Sequence, residues 1–189
     1  NMSTNIYLVR HAESRYIPED DDHSRPLTRK GKKDAKKLKD FFSDKNITKV
    51  KSSPYIRALN TVKWIAKDKN LDIELMDNLK ERKVADHYLD DNKFIDFIQN
   101  QWNDFDFNLD GGESFNQVQK RGVKSLEKIV RKYNEENIIV GTHGTWLAVV
   151  LNYFDENYDY EFWKNLKMPD IFLLNYQQEN LKNIKHLKI

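Results

Sequence analysis

Ile6-Tyr7-Leu8-Val9 is a run of four apolar residues that breaks abruptly into Arg10-His11 and a polar stretch. An apolar run without alternation is what a strand covered on both faces requires, so this segment reads as a buried parallel strand with His11 at its carboxyl end. Ile138-Ile139-Val140-Gly141 repeats the pattern and delivers Thr142-His143-Gly144, while a shorter strand around Lys49-Val50-Lys51-Ser52 runs into Ser53-Pro54. A fourth lies near Ile73-Glu74-Leu75-Met76.

Helical periodicity fills the gaps. Ala35, Leu38, Phe41 and Phe42 recur at helical spacing inside a Lys-rich segment, with Thr28 as the cap and the lysines as the wet face. Pro54 fits the first turn of a helix that turns Ala58, Val62, Ile65 and Ala66 inward and carries Arg57 near its start. A long helix follows from about Ser114 to Tyr133. Ile171 to Tyr176 and Leu181 to Ile189, separated by Gln177-Gln178-Glu179-Asn180, read as a hairpin at the sheet edge. Strands alternating with helices give an α/β fold: a three-layer sandwich with a mainly parallel central sheet, helices on both faces and antiparallel strands at the edge. Residues 2–189 are expected to form a single domain, with Asn1 set aside as a tag remnant and the acidic, aromatic stretch at about 84–113 as a cap insertion.

Composition narrows the chemistry. The 189 residues suffice for one full core. With a net charge of +2 although a third of the residues are charged, there is no basic excess of the kind that nucleic acid requires. No cysteine is present, so disulfides, thiolate nucleophiles and thiolate metal sites are excluded. The longest apolar run, Trp146 to Leu151, is far short of the roughly 20 residues that span a bilayer. No membrane partner and a reducing, cytoplasmic setting are the expectation.

In an open parallel sheet, ligands bind beyond the carboxyl ends of the strands. Arg10-His11, the segment Ser52 to Arg57, and Thr142-His143-Gly144 all fall there, which brings two imidazoles and two guanidiniums to one spot. Guanidinium forks match phosphate oxygens, and fixed positive charge pushes a neighbouring imidazole toward its neutral, nucleophilic form. Phosphate is the natural ligand, and His11 the natural nucleophile.

Leu8-Val9-Arg10-His11-Ala12-Glu13-Ser14 resembles the Arg-His-Gly signature of the histidine phosphatases, the phosphoglycerate-mutase-like family. Ser52 to Thr61, Leu79-Lys80-Glu81-Arg82, Gly111-Gly112-Glu113-Ser114 and Val140 to Gly144 resemble its other blocks, in the family's order. The resemblance implies a two-step reaction in which His11 forms a phosphohistidine and Glu81 protonates the leaving oxygen, then activates water. Arg10, Arg57 and His143 would hold the phosphoryl oxygens, with Ser14 and Gly144 beside them, and neither metal nor cofactor is implied. Two positions depart from the pattern. Ala12 stands where glycine is usual, and Ile17 where many relatives carry a phosphate-holding asparagine, for which Ser14 is the nearby substitute.

Blander readings stand beside these. Glu81-Arg82 also reads as a surface ion pair, Glu113 is a competing acid, and His23, His87 and His186 read as surface residues. The favoured function is hydrolysis of a small phosphate monoester without metal. From Asp86 to Glu113 only Lys93 carries a fixed positive charge, which disfavours a substrate with a second anionic group. A phosphoglycerate-type phosphomutase is the alternative, followed by a phosphate-binding module without turnover.

Overall fold

The computed structural model describes residues 3–16 and 21–189. Ile17 therefore lies outside the described residues. Six strands form one sheet in the order β3-β2-β4-β1-β5-β6: β1 Ser3–Arg10, β2 Lys49–Ser52, β3 Ile73–Leu75, β4 Asn137–Thr142, β5 Asp170–Gln177 and β6 Asn180–Leu187. The pairs β2/β3, β2/β4 and β1/β4 are parallel, whereas β1/β5 and β5/β6 are antiparallel. The fold class and the edge hairpin are as the sequence indicates, and Gln178 and Glu179 make the hairpin turn at positive φ.

Alternation along the central strands splits the core in two. Tyr7, Val9, Val50, Ile139 and Ile171 face a layer made by α1 (Arg29–Phe42) and α2 (Ile56–Asp68), with Leu38, Phe42, Val62 and Ile65 opposite them. Ile6, Leu8, Ile138, Val140, Phe172 and Leu174 face the other layer, which contains α4 (Phe115–Lys132) and α5 (Gly144–Phe154). The six-residue apolar run is the buried body of α5. It is apolar on every side because sheet, α4 and the short α6 (Tyr160–Lys164) enclose it.

Local chemistry sets the helix ends. Thr28 caps α1 by accepting from the Gly31 N–H, and Ser114 with Gln117 forms a reciprocal capping box on α4. Pro54 is corrected: α2 starts at Ile56 with Tyr55 as its cap, so the proline shapes the preceding turn and Arg57 is the second helical residue. The stretch 84–113 contains α3 (Asp91–Asn103), which buries Phe97, Ile98 and Gln101. The Gln101 amide donates to the carbonyls of Phe107 (3.0 Å) and Glu113 (2.9 Å), tying the helix to the return segment. Gly111 turns that segment at φ 74°, a conformation that a side chain would strain. Among the described residues, no helix is long and apolar enough to cross a membrane.

Candidate active site

The carboxyl ends of β1, β2 and β4 lie side by side, so Arg10, His11, Ser53, Arg57 and His143 converge where the register requires. The rings of His11 and His143 are 5.3 Å apart. Both are buried: His11 keeps 6% of its surface, and His143 none.

His11 is held in one tautomer. Its Nδ1 lies 2.7 Å from the Ala12 carbonyl, which can only accept, so Nδ1 carries the hydrogen and Nε2 is left with its lone pair. Burial, with Arg57, Arg10 and Arg25 nearby, holds the imidazole well below the usual histidine range, although the bond to Ala12 opposes them. The same causes, burial first and then Arg57, depress His143. His143 Nε2 meets Ser53 Oγ at 2.8 Å, and its buried Nδ1 has no partner among the described residues. A neutral imidazole with a bare ring nitrogen beside guanidiniums has the chemistry to attack an anionic electrophile.

Each arginine is fixed from behind. Arg10 Nη1 donates to the carbonyls of Leu166 and Lys167, both at 3.2 Å. A Cβ on Gly144 would come within 2.7 Å of the Arg10 guanidinium, so only glycine lets it lie against the start of α5. Arg57 donates to the Asp22 carbonyl at 2.6 Å and pairs with the Asp22 carboxylate at 3.2 Å, while its ring neighbour Tyr55 stacks beneath at 5.0 Å. Among the described residues, both guanidiniums leave Nε buried without a partner.

Glu81 lies at the amino end of α5. Its Oε2 accepts from Thr145 N (3.0 Å), and Oε1 from Trp146 N (2.9 Å) and Arg82 N (2.8 Å), which fixes the carboxylate one residue beyond His143-Gly144. Oε2, with a single donor, keeps acceptor capacity free. Glu113, the rival acid, is gripped by Arg121 through two bonds of 2.9 and 3.0 Å. Burial raises its pKa, but Arg121 and the Lys83 N–H outweigh that and hold it low, as a committed carboxylate.

Ser14 Oγ accepts from Arg25 Nη2 at 3.3 Å. The extra methyl of Ala12 packs in a small cluster with Leu27 and Ala35, and its N–H donates to Thr61 Oγ1 at 2.9 Å. Thr61 in turn donates to the Arg57 carbonyl at 2.7 Å and so ties the first block to the second. Sequence reasoning passed over Thr61, Asp22 and Arg25, because nothing in the pattern marks a helix residue or loop charge as a strut.

The surface ion-pair reading of Glu81-Arg82 is corrected. Arg82 is 3% exposed, lies against the rings of Phe97 and Phe115 at 5.3 and 5.8 Å, and donates to the Thr145 hydroxyl at 3.3 Å. Among the described residues no carboxylate lies within ion-pair distance of it, and its Nε is buried without a partner. His23 and His87 are exposed, as is His186, although its ring reaches a buried carboxylate.

The model of the histidine phosphatase superfamily (branch 1) matches residues 6–182. The chain belongs to the histidine phosphatase superfamily. This histidine phosphatase is 28% identical over 155 residues to phosphoserine phosphatase 1 of Hydrogenobacter thermophilus, covering 73% of this chain and 70% of the relative. Its fold is that of mycobacterial glucosyl-3-phosphoglycerate phosphatase (TM-score 0.79, 15% identity, 97% of each chain). A phosphoglycerate mutase from Bacillus anthracis also shares the fold (TM-score 0.75, 17% identity, 98% of this chain and 92% of that one). The chain is thus a phosphatase of the histidine type, in a family whose general chemistry passes through a phosphohistidine.

Proposed function

We propose that His11 Nε2 attacks the phosphorus of a small phosphate monoester in line, with Arg10, Arg57 and His143 around the phosphoryl oxygens. The observation that carries the reading is the His11 ring itself, locked by Ala12 with its nucleophilic nitrogen bare. As the P–N bond forms and the P–O bond breaks, Glu81 delivers a proton to the leaving oxygen. The resulting carboxylate takes a proton from water, which attacks phosphorus as the P–N bond breaks, freeing His11 and releasing orthophosphate. If the Ser53 hydroxyl donates to His143 Nε2, the orphan Nδ1–H is free to donate to a phosphoryl oxygen. Guanidiniums then stabilise the charge that develops on phosphorus.

Arg82 extends the reading to the substrate. A buried guanidinium with no directly paired carboxylate among the described residues is costly even with Glu81, Glu113 and Asp22 acting on it from further off, and a carboxylate on the substrate would supply the pair. This reverses the expectation drawn from the acidic 84–113 stretch. The named relatives act on phosphoserine and glucosyl-3-phosphoglycerate, both phosphorylated acids, which supports the assignment.

The test is orthophosphate release from phosphoserine and from an activated aryl phosphate in excess chelator, for the native protein and His11→Ala. Release that survives chelator and vanishes in the variant is the expected result. Release retained by His11→Ala would overturn it, and interconversion of phosphoglycerates without release would make the protein a mutase.

A further inference from the structure

Next to Arg10, on the neighbouring strand β5, lies a chain of polar contacts that the mechanism above does not use. Asp170 opens β5 directly opposite Arg10 in the antiparallel register, and its residue is 2% exposed. Its Oδ2 accepts from Lys167 N at 3.0 Å, and its Oδ1 from Ile171 N at 3.1 Å and from His186 Nε2 at 2.6 Å. The peptide that gives the Lys167 N–H to Asp170 is the one whose carbonyl, on Leu166, accepts from Arg10 Nη1. A carboxylate on one side of a peptide plane polarises the carbonyl on the other, so the bonds in such a chain strengthen each other. The His186 ring lies on Phe172 at 4.5 Å and 8° between planes, which aims Nε2 at the carboxylate from the last strand.

We infer that Asp170, anchored by His186, is the positioning residue for Arg10: it fixes the Leu166–Lys167 peptide as the acceptor that aims the guanidinium at the phosphoryl group. Three observations converge on it. A carboxylate is buried where a neutral residue would cost less. It accepts from the Lys167 N–H of the same peptide whose Leu166 carbonyl holds Arg10. Its negative charge also favours the charged form of Arg10, in company with Glu81, against the burial that opposes it. A capping role for the 166–170 turn alone would call for neither the buried charge nor the histidine on another strand.

The inference rests on the hydrolase reading, and the two fail differently. Orthophosphate is the probe, because its inhibition constant reports Arg10's grip without any chemical step. Asp170→Asn keeps the size and one acceptor but removes the charge. If the charge acted only through the field, its loss would make the site more positive and tighten orthophosphate. A positioning role predicts the opposite, a rise in the inhibition constant and in KM of about tenfold, the scale of a lost hydrogen bond to a charged group, with kcat changed less. His186→Phe keeps the stack on Phe172 but removes the donor, and is expected to give a smaller rise in the same direction. His186→Gln restores an N–H and should recover most of it. It also keeps the proposal testable if Asp170→Asn does not fold. Unchanged or tighter orthophosphate binding in folded Asp170→Asn and His186→Phe would overturn the inference, while native turnover lost in His11→Ala would still uphold the hydrolase.

Discussion

The strand ends that carry His11 and His143 and the 84–113 stretch are neighbours built on opposite terms. At the strand ends the chemical groups are buried or half-buried, and the backbone fastens three of them: His11 by the Ala12 carbonyl, Arg10 by the carbonyls of Leu166 and Lys167, and Glu81 by three N–H groups. In the 84–113 stretch most acids are exposed, and Tyr88 meets Tyr16 at 6.4 Å with both rings more than half in water. The difference assigns tasks. Phosphoryl chemistry needs preorganised groups that do not move when charge develops, whereas substrate choice is made by a surface that can vary without disturbing them. Arg82 stands on the border, since it follows Glu81 in sequence yet is enclosed by Phe97 of α3 and Phe115 of α4.

The largest expected effect is at the fastened end. Glu81→Gln should slow turnover of esters with poor leaving groups by about 10²–10⁴-fold and activated aryl phosphates much less, because a proton donor matters most where the leaving oxygen is basic. Equal losses on both, in steady-state kinetics, would remove Glu81 from the chemistry and leave it as the cap of α5. Arg82→Met comes next. It should lower kcat/KM for phosphoserine by about 10–100-fold, the range for a lost hydrogen-bonded charge pair, and leave phosphoethanolamine, which lacks the carboxylate, within a few fold. A parallel fall for both substrates would return Arg82 to the structural side of the border.

Gly144→Ala tests how tightly the strand-end cluster is packed. A methyl 2.7 Å from the Arg10 guanidinium must displace it, so KM should rise by about tenfold, in keeping with overpacking costs of 1–3 kcal/mol. The smallest effect is in pH. Neutral His11 is the reactive form, and its folded pKa is lowered by burial and the arginines. The acid limb of kcat/KM should therefore fall below the ordinary histidine value of about 6.5, and Arg57→Gln, which removes one depressing charge, should move it upward. Stability follows the same sign. The unfolded chain protonates these imidazoles first, so stability conferred by buried neutral His11 and His143 is present above the unfolded value and is lost as pH falls through it toward the folded values. Denaturant midpoints across that range would show it.

The cluster at the strand ends was legible because its signals are local. An apolar run ending in Arg10-His11, another ending in Thr142-His143, and Arg57 just inside a helix each report a strand or helix terminus, and the parallel sheet then brings termini together. Pro54 was misjudged by two residues, since proline serves a turn before a cap as well as a first helical position. Arg82 and Asp170 were not legible. A charged residue beside another in sequence reads as surface, and only packing reveals that one is enclosed by aromatic rings and the other stands opposite Arg10.

The sequence by itself determined the α/β class, the order of the strands along the chain, the edge hairpin and the four groups Arg10, His11, Arg57 and His143, because hydrophobic period and abrupt polar endings are properties of short segments. Tertiary structure alone decided which groups hold those four in place, which tautomer His11 adopts, and that Arg82 is buried with no directly paired carboxylate among the described residues. Those are relations between residues tens of positions apart, set by the burial of one side chain against another, and no local pattern encodes them.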